Sequence, residues 1–205
     1  MSSDSIKIAK ADHPILPAIA ARFSPYVFEA RSVEKAKLLT CLEAARWAAS
    51  SFNEQPWSFI LALREDKAEF AKALACLGEP NQVWAKDAGA LILTVISKTF
   101  SRIGTPNRVA EHDLGQAAAN MAIQAAQEGL QIHQMAGVNL TSVRQGYAIP
   151  ATHEPMTAIA VGYAADPAKA ASTDLGSRDA AARGRKPLSE WVFTGGWKQP
   201  AKEVR

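Results

Sequence analysis

The chain has 205 residues, 48% hydrophobic and 21% charged, with a formal net charge of +3. That is enough apolar material for one ordinary core and argues against a disordered chain. No lysine or arginine run is dense enough for nucleic acid and no apolar run is long enough to span a bilayer, so neither is an expected partner. Cys41 and Cys76 lie in helix-like segments with no metal or disulfide spacing, as buried thiols of a reducing compartment do. Ile15 to Ala21 is broken by Pro17 and does not form the pattern of a signal peptide, so a soluble, cytoplasmic protein is expected.

Ser32 is placed to cap a helix running to about Ala49, with Leu38, Leu42, Ala45 and Ala49 along one apolar stripe. That helix ends in a polar elbow, Ser50-Ser51-Phe52-Asn53-Glu54-Gln55. Trp57 to Leu63 predicts a strand and Asp66 to Leu77 a helix. Gly78-Glu79-Pro80-Asn81 predicts a break in which Asn81 is placed to cap the next helix. Ala90 to Ser97 predicts a second, more continuously apolar strand, as in a sheet covered on both faces. Asp113 to Glu128 predicts the strongest helix, opened by an acid and closed by Gly129. Its small residues Gly115, Ala118, Ala119, Ala122 and Ala126 suit close approach of another helix. A strand at Leu130 to His133, a short helix at Leu140 to Ala148 and a strand at Thr157 to Tyr163 complete one α/β unit over residues 1-205. Beyond Asp166-Pro167 the composition shifts to Ala, Ser, Asp and Gly. The chain then ends in an arm, about 183-205, too apolar around Trp191 to be left in water.

The chemistry-bearing residues are few and dispersed. Arg22 and Ser24, in Arg-Phe-Ser-Pro-Tyr, and Arg183 and Arg185 far downstream are of the kind that hold a phosphate monoester. The planar fork donates paired hydrogen bonds and keeps its charge. The same arginines also serve on any solvated surface. Ser50, Ser51, Asn53 and Gln55 offer short donors and acceptors, and are equally the residue types that end helices and shape turns. Met135-Ala136-Gly137 is a corner where backbone N–H groups can meet a planar ring or simply turn the chain. There is no nucleophile elbow and no glycine-rich phosphate loop. His13, His112, His133 and His153 have no metal-ligand spacing. An enzyme built on this chain therefore draws its reactivity from a bound cofactor, with no catalytic side chain expected.

Together these pieces resemble the FMN-dependent nitroreductase family over nearly the whole chain. Arg22-Phe23-Ser24 is similar to its N-terminal Arg-x-Ser motif, and Glu43 to Trp57 to its E-A-A-R-W-A-x-S-S-x-N-x-Q-P-W signature, the most specific match. Asp113-Leu114-Gly115 through Gly129-Leu130 resembles its central helix, Met135-Ala136-Gly137 its flavin-edge corner, and Arg183 to Leu188 its closing phosphate clamp. Two positions depart from the pattern: Tyr26 stands where many members carry Arg or Lys, and Ala49 replaces a common Pro.

The resemblance implies an α+β fold with a central mixed sheet flanked by helices, and a C-terminal arm extending onto the partner of a homodimer. It implies FMN at the subunit interface. Arg22, Ser24, Arg183 and Arg185 would hold the phosphate and ribityl chain, with Tyr26 beside the pyrimidine. Ser50, Ser51 and Asn53 would reach across from the partner, and Gln55 would also bind the cofactor. Asn81 would address the pyrimidine side, and the backbone near Ala136 and Gly137 would point at flavin N5. The implied reaction is a ping-pong hydride transfer from NADH or NADPH to nitroaromatics, quinones or similar flat electrophiles. Alternatives are a flavin reductase or dehalogenase-type enzyme with a narrow substrate, and a non-catalytic flavin-binding dimer. With Tyr26 in place of a cation, a less electron-accepting flavin is expected.

Overall fold

The computed structural model describes residues 6–170 and 172–204. Four strands, β1 (Trp57–Leu63), β2 (Ala90–Ser97), β3 (Gln131–Met135) and β4 (His153–Gly162), form a sheet in the order β1-β2-β4-β3. They are accompanied by helices α1 (Pro17–Ala21), α2 (Lys35–Arg46), α3 (Lys67–Ala75), α4 (Glu79–Ala85), α5 (Ala110–Gln127), α6 (Leu140–Gly146) and α7 (Thr173–Ala180). The α+β class stands, but every strand pairing among the described residues is antiparallel, which corrects the mixed sheet expected from the sequence. β2 and β3 do run the same way, joined through α5. β4 enters between them and turns that parallel relation into two antiparallel pairings.

β2 sends alternate side chains into two cores, as the pleat of a strand requires. Ala90 and Ile92 pack with Leu38, Cys41 and Ala45 of α2 and with Ala117, Met121 and Ala125 of α5. Leu91 and Leu93 pack on the other side with Phe70 of α3, Trp84 of α4 and Val143 of α6. Neither face meets water, which is why the strand is apolar almost throughout. Both cysteines are free and buried in these cores, and burial pushes the Cys41 thiol up to about 11, leaving it unreactive at neutral pH. Ala118 and Ala122 of α5 are buried in the core shared with α2, whereas Gly115 and Ala119 are exposed. Gly129 ends α5 at φ +76°, a conformation that costs an L side chain roughly 1–2 kcal/mol.

Two helix starts differ from the sequence expectation. α2 begins at Lys35 behind Glu34, not behind Ser32, and has no side-chain cap because the Glu34 carboxylate accepts from the Tyr163 hydroxyl. α5 begins at Ala110, which places Asp113 inside its first turn. The arm folds back on itself: Thr194 N donates to Gln199 O, Ala201 N donates to Val192 O, and the Phe193 and Trp197 rings meet at 5.2 Å. Trp191 and Trp197 remain exposed.

α7 reaches back to the start of the chain. The Asp179 carboxylate, only 5% exposed, accepts the backbone N–H of Tyr26 at 2.9 Å and of Val27 at 2.8 Å. Lys7 Nζ donates to the carbonyls of Arg178 and Ala181 at 2.9 and 2.8 Å, closing the end of the helix. The Tyr26 ring then packs edge-on against Trp84 and His133, at 5.4 and 4.7 Å. His133 Nδ1 lies 2.8 Å from the Pro25 carbonyl, so it is the donor nitrogen of a neutral ring. Burial holds the His133 pKa below its ordinary value of 6.5, although the Pro25 carbonyl and Asp179 act in the opposite sense.

Two outcomes are expected. Asp179→Ala leaves the Tyr26 and Val27 amides without their acceptor and lowers stability by about 2–4 kcal/mol in urea unfolding. His133 is depressed in the folded state, so its contribution is complete above about pH 6.5 and is lost as pH falls from there toward the folded value, because only the unfolded chain takes up the proton. The slope has a ceiling of about 1.4 kcal/mol per pH unit, reached only if one full proton separates the two states. Urea titrations at pH 5.5 and 7.5 should therefore show a smaller acid loss for His133→Gln than for the wild type; equal losses contradict it.

Candidate functional site

Arg22 follows α1, Arg183 and Arg185 follow α7, and the docking of α7 on the N-terminal segment brings the three guanidiniums into one another's field. Arg22 is held below its ordinary pKa by burial and then by Arg185; Arg183 by burial and then by Arg22 and Arg185. Among the described residues none of the three pairs with a carboxylate. Arg183 is fixed instead by carbonyls, with Nη1 donating to Lys7 O at 3.0 Å and to Ala20 O, in the last turn of α1, at 2.7 Å. Its Nε is buried and has no hydrogen-bond partner among the described residues. Arg22 Nη1 lies 3.4 Å from Ser24 Oγ, and Arg185 Nη1 donates to its neighbour Gly184 O. Like charges gathered in this way repel until an anion sits among them, and a phosphate matches the guanidinium fork.

The cradle is stitched to β3, an edge strand. Phe23 N donates to Gln131 Oε1 at 2.9 Å, Gln131 Nε2 donates to Ala21 O at 3.3 Å, and His133 holds Pro25. β3 covers roughly 13 Å at the ordinary strand rise and delivers Ala136 and Gly137, both exposed, at its far end. α4 faces that corner. Asn81 Nδ2 donates to Gly137 O at 3.0 Å and Gly78 N to the same carbonyl at 2.8 Å. A Cβ at position 137 would stand 2.6 Å from Asn81 Nδ2, so glycine is what allows the approach. Asn81 is not a helix cap as expected: Glu79 and Pro80 already open α4, which frees the amide to turn toward the corner.

The elbow is built separately. Ser51–Asn53 form a 3₁₀ turn, and Phe52, Asn53 and Gln55 have φ of 54°, 55° and 53°. Side chains adopt that region at a cost of order 1 kcal/mol each, and such strain concentrates where a structure serves a ligand. Ser50 Oγ accepts from Gln55 N at 3.0 Å, and Asp113 Oδ2 accepts from Ser51 N at 3.0 Å. Asp113 is 2% exposed, so this anchor is shielded from water. The turn leaves the Phe52 ring 87% exposed, edge-on to Phe100 at 5.8 Å. A cavity of about 260 Å³ between elbow and α5 is lined by Ser50, Ser51, His112, Asp113 and Gln116.

The residues singled out from the sequence thus fall into two groups. Arg22, Ser24, Tyr26, Asn81, Ala136, Gly137, Arg183 and Arg185 follow one edge, from the cradle along β3 to the corner. Ser50, Ser51, Asn53 and Gln55 share the elbow, and among the described residues no hydrogen bond or ring contact joins the elbow to that edge. Asp179 and Gln131, which assemble the edge, carry no local signal, since their partners lie more than a hundred positions away. The sequence marks Asp113 only as the acid of a helix start. Among the described residues there is no group of three or more side chains suited to a metal, and no helix long and apolar enough to cross a membrane.

A family model described as the Nitroreductase family matches residues 19–163. An uncharacterized 15.4 kDa protein of Mycolicibacterium smegmatis is 32% identical over 130 residues, 62% of this chain and 84% of that protein. The solved structure of an oxidoreductase containing FMN superposes with a TM-score of 0.86 at 30% identity, covering 93% of this chain and 96% of the other. A nitroreductase family protein of Clostridium difficile superposes with a TM-score of 0.66 at 25% identity, covering 86% and 95%. The antiparallel sheet with helices on both faces, the signature elbow and the match over residues 19–163 agree: the chain belongs to the nitroreductase family.

Proposed function

We propose that the chain is an FMN-dependent oxidoreductase that draws electrons from NADH or NADPH and passes them to a nitroaromatic, quinone or similar flat electrophile. The observation that carries this reading is the cradle of Arg22, Arg183 and Arg185, which has no carboxylate partner among the described residues and holds the buried, unpaired Nε of Arg183. That donor set fits the phosphate of FMN. The Gly137 corner, open to a flat group and framed by Asn81, fits a ring at the other end of β3.

When bound, FMN supplies a ring nitrogen, N5, that takes up hydride and gives it up again, so the chain needs no nucleophile of its own. Arg22, Arg183 and Arg185 would hold the phosphate, with Ser24 on the ribityl chain. Asn81 and Tyr26 would address the pyrimidine side, and the backbone N–H groups near Ala136 and Gly137 would fix the N5 edge. This is positioning rather than acid/base work.

The separation of the elbow from this edge supports a homodimer in which Ser50, Ser51, Asn53 and Gln55 serve the cofactor of the second copy. The exposed Gly115 and Ala119 of α5 allow that copy to come close, and the apolar arm, about 183-205, would lie over it. In this reading residues 1-205 act as one FMN-binding domain in the cytoplasm.

The absorbance spectrum of the purified protein, before and after anaerobic NADH and then NADPH, tests the proposal. A flavin spectrum bleached by at least one of them is expected. Protein that stays colourless with added FMN overturns the reading, and a flavin that neither nucleotide bleaches overturns the enzyme. Arg183→Gln should weaken FMN binding about 10- to 100-fold in a flavin fluorescence titration, the loss of one charge-assisted phosphate contact.

A further inference from the structure

One positive charge stands on the cofactor edge without belonging to the phosphate cradle. Arg178, in the last turn of α7, places its guanidinium 5.6 Å from the centre of the Tyr26 ring, with Nη1 3.4 Å from the tyrosine hydroxyl. Tyr26 lies against His133 of β3 and Trp84 of α4, between the arginine cradle and the Asn81 and Gly137 corner. The adjacent residue, Asp179, takes the backbone N–H of the same tyrosine, and Lys7 closes α7 on the Arg178 carbonyl. One α7 side chain therefore binds the Tyr26 backbone while its neighbour binds the Tyr26 hydroxyl. Arg178 Nη2 also meets Asp174 at 3.0 Å, one turn earlier. An exposed pair of this kind contributes little, and it does not account for the tyrosine contact.

We infer, resting on the FMN reading above, that Arg178 tunes the bound cofactor: its charge favours the reduced ring, Tyr26 sets where that charge stands, and Asp174 sets how much of it is felt. Hydride uptake adds one negative charge to a flavin, and a nearby cation would stabilise the more negative state by more. Tyr26 alone is neutral, which led to the expectation of a weakly electron-accepting flavin. In this inference the guanidinium absent at position 26 is supplied in space from position 178, which offsets that expectation.

The test is an anaerobic redox titration of the FMN-loaded wild type, Arg178→Gln, Arg178→Lys and Asp174→Asn against a reference dye, at low and high salt. At a fixed dye potential, Arg178→Gln should lower the ratio of reduced to oxidised cofactor about fivefold, equivalent to about 20 mV for a two-electron couple. Arg178→Lys should keep most of the wild-type ratio, Asp174→Asn should raise it, and both differences should shrink in 1 M salt. The dissociation constant of oxidised FMN should stay within about twofold in Arg178→Gln while that of reduced FMN rises about fivefold. Equal ratios in wild type and Arg178→Gln overturn the inference, as do two dissociation constants that rise together, which is the mark of a merely structural residue. Wild-type protein that binds no FMN overturns the cofactor reading itself.

Discussion

The candidate site depends on one carboxylate. Asp179 is buried, makes no salt bridge among the described residues, and holds the amides of Tyr26 and Val27 instead. A buried charge satisfied by backbone N–H groups fixes the main chain more tightly than it would fix a flexible side chain. The consequence is topological: residues separated by about 150 positions become neighbours, and Arg22 shares a cradle with Arg183 and Arg185. Lys7 reinforces the same junction from the other side by closing α7.

The sheet does the rest of the positioning. With β4 in its interior, β3 is pushed to an edge, where its outer side is free to receive the N-terminal segment through Gln131 and His133. The strand then acts as a ruler between the cradle and the Gly137 corner. The elbow belongs to the opposite end of the sheet order, immediately before β1, and is held there by Asp113 of α5. The two halves of the candidate site are thus carried by the two edge strands, with the paired central strands between them.

Much of this was legible in the chain because local patterns wrote it. Trp57–Leu63 and Ala90–Ser97 follow from largely apolar runs, and the end of α5 from Gly129, whose positive φ no other residue type adopts as readily. Strand direction was not legible: nothing local announces that a later strand will enter between β2 and β3 and pair antiparallel with both. Asn81 looked like a cap because asparagine often is one; Pro80 had already taken that end of the helix. Asp179 and Arg178 sit in a polar stretch of low pattern content, and their meaning lies in partners that only the fold brings near. The arginines of the cradle were visible as types, yet their lack of carboxylate partners among the described residues is a property of three dimensions.

The entry of β4 between β2 and β3 also shapes how the molecule is made. The strand at the centre of the sheet is the last of the four to be synthesised, and α7 follows it. Until residue 162 has emerged, β3 has no neighbour to pair with and β2 has only one. Chains interrupted before that point leave Leu91, Ile92 and Leu93 on a strand paired along one side only, the kind of open edge that chaperones bind and that aggregates when left alone. The cradle, which needs α7 and the arginines that follow it, can form only after the last strand of the sheet has been made.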